Sequence, residues 1–311
     1  MLSMVSDGVV RLNTILEEWV MTMSPDEGSC LFLEDGKCAI HTTMNGLLKP
    51  SGCHRFPFAL TKTPKGGRIG MEVRCSCQTL MPDDAPEVDC EQVAPLLLDE
   101  DGRPESAMVV EDAVPMSEGV TLTFSEYEAF EAELLASIAH DGLEAALDRA
   151  PYADVGTPWS EVANGMLSET LVTRFDAALL YVADAIVDAH GGGSEPPSRE
   201  RAWTPAYDRA QARMTTPIDP ETIYARWASE SIWRMHWMAR IGFEQHRKSL
   251  ATLLDIARRV ATRIENEGVR KDRAAAESVT IVETVGTSMW WWCVDERMSN
   301  QHPTNELSHE Q

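Results

Sequence analysis

The clearest structural signal in this sequence lies in residues 159–190, WSEVANGMLSETLVTRFDAALLYVADAIVDAH. Within this stretch, apolar side chains recur at the three- and four-residue spacing of a helix with one buried face: Leu171, Phe175, Leu179, Val182 and Ile186. We therefore predict one interrupted helix or two consecutive helices here, with the apolar stripe packed into a core.

Another helix is predicted earlier in the chain, directly after the strand-like sequence TLTF at 121–124. Ser125 and Glu128 have the spacing of a capping box, in which each side chain accepts a hydrogen bond from the other residue's backbone N–H. The helix should therefore run from about Glu126 to Ala139.

Two longer helical regions are predicted in the last third of the chain. Asp219 can cap a helix whose first turn contains Pro220, a position that tolerates proline because its N–H would be unpaired there. The helical pattern continues to about residue 266, with a bend expected at Gly242. A last helix is expected over residues 272–293.

Residues 30–90 have a different character, because they are rich in Gly and Pro and show little helical periodicity. One strand is predicted at 68–74, after the turn PKGG. The expected fold class is mainly α, with a small irregular Cys-rich module of short β-strands packed on an α-helical domain. We predict four regions: a Cys-rich metal-binding module with an N-terminal helix (1–90), an acidic connecting segment with short strands (91–124), the α-helical domain (125–298) and a disordered tail (299–311).

Charge and composition exclude several classes of function. The chain has 311 residues, 43% of them apolar, which is enough to bury a core, and its net charge is −23. Such an acidic chain is a poor general binder of nucleic acid or anionic lipid, since both need a basic face. The N-terminus lacks the basic start of a signal peptide, and no window is apolar enough to span a membrane, so a cytoplasmic protein is expected.

Cysteines are concentrated in the predicted module. Six of the seven lie between residues 30 and 90, and clustered cysteines in a reducing compartment bind metal or do redox chemistry more often than they form disulfides. Residues 30–78 carry seven basic and three acidic side chains, a net charge of +4, whereas residues 79–133 carry one basic and sixteen acidic side chains, a net charge of −15. A positive surrounding favours thiolates. A chance fluctuation, or a basic face docked on the acidic segment, would also explain it.

A four-thiolate metal site is the sharper of two hypotheses for these cysteines. Cys30, Cys38 and Cys53 supply three ligands, and either Cys75 or Cys77 supplies the fourth, since the two would point to opposite faces of an extended strand. Four thiolates hold Zn²⁺ or a [4Fe–4S] cluster. The alternative is a set of unrelated buried or surface thiols.

The motifs around these cysteines carry a family resemblance. The run C-x7-C-A-I-H at 30–41, then K-P-S-G-C-H-R-F-P-F at 49–58, then a strand before Cys75, resembles the YkgJ-type cysteine-cluster family of zinc- or iron-chelating proteins. It resembles flagellin lysine-N-methylases more distantly. The resemblance implies that Cys30, Cys38, Cys53 and Cys75 are the matching ligands. It departs from that family in one respect, because no CxxCxxCC cluster precedes Cys30.

The expected function is that of a metal-binding protein with a Cys-ligated iron–sulfur cluster or zinc, which could also be a lysine-N-methylase-like enzyme. In the second case S-adenosylmethionine would be the methyl donor and another protein the substrate or partner, but no nucleotide-binding loop is recognisable, and no catalytic residue is identified. The alternatives are a non-catalytic redox-sensing or binding protein with a structural metal, and a metal-free member of the family. His41, His54 and Arg55 are candidates to support the metal ligands. His236 and His246, ten residues apart, make no recognisable metal pair.

Overall fold

The computed structural model describes residues 10–13, 18–21, 33–34, 37–38, 51–98, 101–104, 108–147, 151–170, 176–192, 197–214 and 216–299. Over these residues the fold is mainly α with short strands, as predicted. Within this part of the chain, none of the helices combines the length and apolar character that crossing a bilayer requires.

The strands form small separate sheets in the N-terminal part of the chain. They are β1 (Val10–Asn13), β2 (Glu18–Met21), β3 (Leu33–Glu34), β4 (Lys37–Cys38), β5 (Phe58–Thr63), β6 (Gly66–Met71), β7 (Met108–Val109), β8 (Ala113–Ser117) and β9 (Val120–Thr123). Antiparallel pairs join β1 to β2, β3 to β4, β5 to β6 and β8 to β9, and β7 pairs in parallel with the outer edge of β5.

The helices follow and dominate the C-terminal part. They are α1 (Ser51–Arg55), α2 (Ser76–Thr79), α3 (Cys90–Val93), α4 (Phe124–Asp141), α5 (Leu143–Ala146), α6 (Trp159–Leu167), α7 (Ala177–Ala189), α8 (Thr204–Gln211), α9 (Pro220–Arg234), α10 (Phe243–Asn266), α11 (Lys271–Gly286) and α12 (Met289–Ser299). Short 3₁₀ turns occur at Ala94–Leu97 and His236–Ala239.

Helix α11 lies at the centre of the helical domain. Its side chains are buried nearly all around the helix, including the small residues Ala274, Ala275, Ala276 and Ser278. Helices α7, α9, α10 and α12 all pack against it. Small side chains allow close approach of several neighbours at once, so α11 can be enclosed on every side.

The prediction of two consecutive helices in residues 159–190 is confirmed by α6 and α7. Val182 and Ile186 are fully buried in α7, and Leu179 is partly buried against the same core. Leu171 and Phe175, the first two members of the predicted stripe, lie outside the described residues.

The predicted capping box at Ser125 and Glu128 was wrong by two residues. The box is formed by Thr123 and Glu126: Thr123 Oγ1 accepts from the backbone N–H of Glu126 at 3.3 Å, and Glu126 Oε2 accepts from that of Thr123 at 2.8 Å. Strand β9 ends at Thr123, so the helix starts directly after it. Glu128 is instead paired with Lys65 on the β5–β6 turn.

The last third of the chain is more divided than predicted. Asp219 does cap α9, accepting from Glu221 N at 3.4 Å. The expected bent helix is two separate helices, however. Met235 adopts a left-handed conformation (φ 55°) that ends α9, and the next α-helix begins only after Gly242. The single helix predicted over 272–293 is two helices, α11 and α12.

An N-terminal helix was expected within residues 1–90, but the described residues 10–13 and 18–21 form the antiparallel strand pair β1 and β2. The sequence VRLN alternates apolar and polar residues, a period of two that suits a strand, and EWVM contains Trp and Val, which are common in strands. In the paired register Val10 is opposite Met21, and Leu12 is opposite Trp19.

The β5–β6 hairpin is docked on the helical domain through a buried ion pair. Arg68 of β6 donates to Glu131 of α4 at 2.8 Å, and both side chains are buried. The Arg68 guanidinium also lies over the rings of Phe124 and Trp233, with its carbon 5.1 and 4.3 Å from their centroids. Stacking on aromatic rings and a buried carboxylate together offset the desolvation of the arginine.

Close contact between β6 and α9 depends on Gly70. A Cβ atom at this position would lie 2.5 Å from Cγ of Arg234, far closer than van der Waals contact. Thr61 on β5 donates to the carbonyl of Arg234 at 2.8 Å, and Glu230 accepts from the backbone N–H of Met71 at 2.6 Å. The hairpin is therefore held against the C-terminal half of α9 by both of its strands.

Candidate functional site

The pair Cys75 and Cys77 does not lie on a strand, contrary to prediction. Strand β6 ends at Met71, and Cys75 precedes the helical turn α2, which contains Cys77. The backbone of Cys75 is still extended (φ −76°, ψ 117°), but the next residues turn. The expected placement of the two side chains on opposite faces of a strand therefore does not apply, because Cys75 is the N-cap of α2 and Cys77 lies in its first turn.

The pKa of the Cys75 thiol is shifted by its surroundings. Burial raises the pKa of the Cys75 thiol, the backbone N–H groups of Cys77 and Gln78 act to lower it, and the neighbouring Cys77 thiol raises it further. Cys75 is partly buried and Cys77 is exposed. Without a bound cation, this arrangement favours the neutral thiol at Cys75.

The β5–β6 hairpin brings the Cys53 segment and the Cys75 segment to the same end of the sheet. Phe58, the first residue of β5, pairs with Met71, the last residue of β6. The pairing continues one step further, since the carbonyl of Pro57 accepts from the backbone N–H of Glu72 at 2.5 Å. The segment with Cys53 therefore enters β5 at the end of the sheet where the chain leaves β6 toward Cys75.

The remaining two predicted ligands come from the β3–β4 hairpin or just before it. Cys38 lies on β4 opposite Leu33. Cys30 and His41 lie outside the described residues, and so does the side chain of Cys38. Among the side chains that the structure does describe, no three His, Cys, Asp or Glu residues are arranged to hold a metal ion. Cys53, Cys75 and Cys77 thus do not form a three-ligand site by themselves.

Of the predicted supporting residues, Arg55 borders a cleft and His54 is exposed to solvent. The cleft, of about 200 Å³, lies between the start of β5 and Glu72. Glu72 accepts from Arg74 Nε at 2.9 Å and from its Nη2 at 2.8 Å. Although burial opposes it, these bonds and the charges of Arg74 and Arg234 hold the pKa of Glu72 below its usual value.

Helix α2 is anchored to the helical domain by a chain of buried hydroxyl groups. Thr79 Oγ1 lies 2.8 Å from the hydroxyl of Tyr207, which lies 2.6 Å from Thr280 Oγ1 and donates to the carbonyl of Ala276 at 2.8 Å. Tyr207 is fully buried, and Ser76 adds a 3.3 Å bond to the carbonyl of Ala206. The turn that carries Cys77 is thus fixed in position by α8 and α11.

Cys90 and Cys293 lie elsewhere on the surface. Cys90 begins α3, where its Sγ is 3.8 Å from the carbonyl of Val88. Cys293 is exposed on α12 beside Trp290 and Arg297. Both are free thiols, which makes them suitable controls for experiments on the other cysteines.

A second polar site, inside the helical domain, was missed by sequence reasoning. His236 and His246 are ten residues apart, yet both line one cavity of about 70 Å³, together with Arg234, Arg240 and Asp295. The break between α9 and α10 turns both histidines toward the same space. Helical periodicity cannot reveal such a site, because it assumes an uninterrupted helix.

Comparisons of the chain with protein-family models, with curated proteins and with solved structures found no match.

Proposed function

We propose that this chain is a metal-binding protein that holds an iron–sulfur cluster or Zn²⁺ through cysteine thiolates. The ligands of this proposal are Cys30, Cys38, Cys53 and Cys75, with Cys77 as the alternative to Cys75. The observation that carries the proposal is the register of the β5–β6 hairpin, which places the Cys53 and Cys75 segments at one end of the sheet. Cys53 and Cys75 are 22 positions apart in sequence, and the hairpin between them reverses the chain, so that both segments adjoin the same end of the sheet.

The state of the cysteines supports this proposal. Cys53 and Cys75 are partly buried rather than part of the core. The pKa of Cys75 is raised by burial and by its thiol neighbour. A bound metal cation would reverse this effect, because it stabilises the thiolate directly, and metal binding would release protons.

The surroundings of α2 support a site of fixed geometry. Tyr207 and Thr280 hold the helical turn, and Arg68 holds the hairpin. A metal site needs ligands whose positions are set by their supports. In this proposal the metal would link residues 30–53 to the β5–β6 hairpin, which the helical domain already holds in place. Metals stabilise protein modules with little core in this way.

Metal analysis of the intact protein tests the proposal. The protein is purified without oxygen, and its Fe, Zn and sulfide contents and its visible absorption spectrum are measured. A stoichiometric amount of iron and sulfide with a broad visible absorption supports a cluster, and one zinc per chain without colour supports a zinc site. Absence of both metals, after reconstitution with each, would overturn the proposal.

Single Cys→Ser variants locate the site. Cys53→Ser and Cys38→Ser should each abolish stoichiometric metal binding, since three thiolates leave a tetrahedral site open. Cys75→Ser and Cys77→Ser decide which of the pair is a ligand. Cys90→Ser and Cys293→Ser are the matched controls and should retain the metal. Equal retention by Cys53→Ser and the controls would contradict the assigned ligands.

A further inference from the structure

The cavity of the helical domain lies where α9, the 3₁₀ turn after it, α10, α11 and α12 meet. Its volume is about 70 Å³. A buried water needs roughly 10–15 Å³ on the same scale, so the space suits a few waters or a molecule of about four heavy atoms. The wall combines aromatic side chains, for example Trp227 and Trp237, with charged ones.

The acidic groups on the wall have donors supplied by the protein itself. Glu283 accepts from Trp227 Nε1 at 3.1 Å and from Arg234 Nη1 at 3.5 Å. Asp295 faces the hydroxyl of Ser249 and the guanidinium of Arg240. Each of the two carboxylates therefore faces at least one donor of the protein.

The donors on the wall are less well satisfied. Among the described residues, no acceptor lies within hydrogen-bonding distance of Arg234 Nε or Trp237 Nε1. Both residues are more than nine-tenths buried, with 7% and 3% of their surfaces exposed. A buried N–H without an acceptor is energetically unfavourable, so two such groups among the residues that line one cavity point to an acceptor that comes from outside the protein.

Arg240 adds a third donor to the wall, and its side chain is 27% exposed. Its nearest carboxylate oxygen, Asp295 Oδ2, is 3.8 Å away, and within the described part of the chain its guanidinium donates no hydrogen bond. The guanidinium lies over the ring of Trp292, 4.5 Å from the centroid. Burial lowers the pKa of Arg240, an effect that the charge of Asp295 only partly opposes.

The two histidines contribute no positive charge near neutral pH. Burial lowers the pKa of His246 to about 3, and burial with the charge of Arg234 lowers that of His236 to about 4. His236 Nδ1 lies 3.2 Å from Arg234 Nη2 and is therefore an acceptor, and the His246 ring is stacked on Trp237. The wall then carries two arginines and two carboxylates and has no net charge, so the case for an anionic guest depends on the N–H groups of the wall that have no acceptor.

We propose that this cavity binds a small carboxylate of about the size of acetate, through Arg240 and the unsatisfied N–H groups of Arg234 and Trp237. A carboxylate has two oxygens in one plane, which match the parallel N–H groups of a guanidinium. A tetrahedral dianion such as phosphate would bring a second charge and one more heavy atom into this small space. This site is separate from the cysteine module, and neither proposal depends on the other.

Calorimetric titration of the full chain near neutral pH tests this inference. The probes are sodium acetate, sodium phosphate and methylammonium chloride at matched ionic strength. Acetate should bind with saturable heat and raise the unfolding temperature, while phosphate should bind more weakly and methylammonium not at all. Absence of acetate binding, or equal binding of acetate and methylammonium, would overturn the proposal.

Variants at Arg240 assign the binding to this cavity. Arg240→Gln should weaken acetate binding by about tenfold, because a charge-assisted hydrogen bond is lost, and Arg240→Lys should be intermediate. Arg209→Gln, an exposed arginine on α8, is the matched control and should bind acetate like the wild type. Unfolding without ligand checks that each variant is folded. Unchanged acetate affinity in folded Arg240→Gln would refute the site.

Discussion

Single residues in this protein show their roles mainly through burial, which a sequence does not display. Asp295 and His246 look like ordinary polar residues of two helices, but both are buried on one cavity. Burial disfavours the charged form of each, so it raises the pKa of Asp295 to about 6 and lowers that of His246 to about 3. Sequence reasoning named His246 and could not place it, because its neighbours come from other helices.

The raised pKa of Asp295 makes its contribution to stability depend on pH. A carboxyl whose pKa is higher in the folded state than its usual 3.8 binds its proton more tightly there, so stability is lost as the pH rises through 6. Asp295→Asn removes this effect. Relative to the wild type, the variant should gain about 1–1.5 kcal/mol between pH 5 and pH 8, measured by urea unfolding at both values.

The exposed Asp84 provides the control for this pH dependence. Asp84→Asn should show the same difference from the wild type at pH 5 and at pH 8. If Asp295→Asn also behaved in this way, Asp295 would not be the buried carboxyl that the structure describes.

At the scale of elements, the sequence indicated where helices lie better than where they begin. Thr123 and Ser125 are each followed by an acid three residues later, so both fit the capping-box pattern. The structure uses Thr123, because β9 pairs with β8 up to that residue and the chain turns there. The pairing of β8 with β9 therefore decides which of the two capping-box patterns is used. The end of α9 could not be predicted from sequence either, because no Gly or Pro lies at Met235, where the helix stops.

The capping assignment can be tested by two alanine substitutions at the start of α4. Thr123→Ala should destabilise the protein by about 1 kcal/mol, because the N–H of Glu126 loses its acceptor. Ser125→Ala should have a much smaller effect, since that residue already lies within the helix. Denaturant unfolding of both variants measures the difference. A larger loss from Ser125→Ala would favour the box read from sequence over the one in the structure.

At the scale of the whole molecule, contacts between distant segments hold the cysteine turn on the helical domain. Tyr207 lies between Thr79 of α2 and Thr280 of α11, residues 201 positions apart in sequence. The ion pair of Arg68 and Glu131 makes a similar link between the hairpin and α4. Neither contact follows from any local pattern, since each needs the packed arrangement of several elements.

The link through Tyr207 can be tested through the reactivity of Cys75. Tyr207→Phe removes the hydroxyl that contacts Thr79, so α2 should be held less tightly and stability should fall by about 1–2 kcal/mol. The partly buried Cys75 should then react faster with a thiol reagent, measured in a Cys77→Ser, Cys90→Ser, Cys293→Ser background by mass spectrometry.

Tyr224→Phe is the control for this experiment. Tyr224 is also buried beside α11, where its hydroxyl lies 3.5 Å from Ser278 Oγ, and this pair makes no link to α2. The control should not accelerate labelling of Cys75. Equal acceleration in both variants would mean that general loosening of the core, and not the Tyr207 link, governs access to the thiol.

The sequence alone determined the mainly helical class, the paired helices of residues 159–190, the cap at Asp219 and the concentration of cysteines in one module. These features depend on periodicity and on neighbours within a few positions, so they can be read along the chain. Only the tertiary structure decided that Cys75 caps the helical turn that contains Cys77, that the hairpin brings their segment and the Cys53 segment to one end of the sheet, and that two arginines and two histidines line one cavity. Those relations join residues far apart in sequence, and packing of the whole domain sets them.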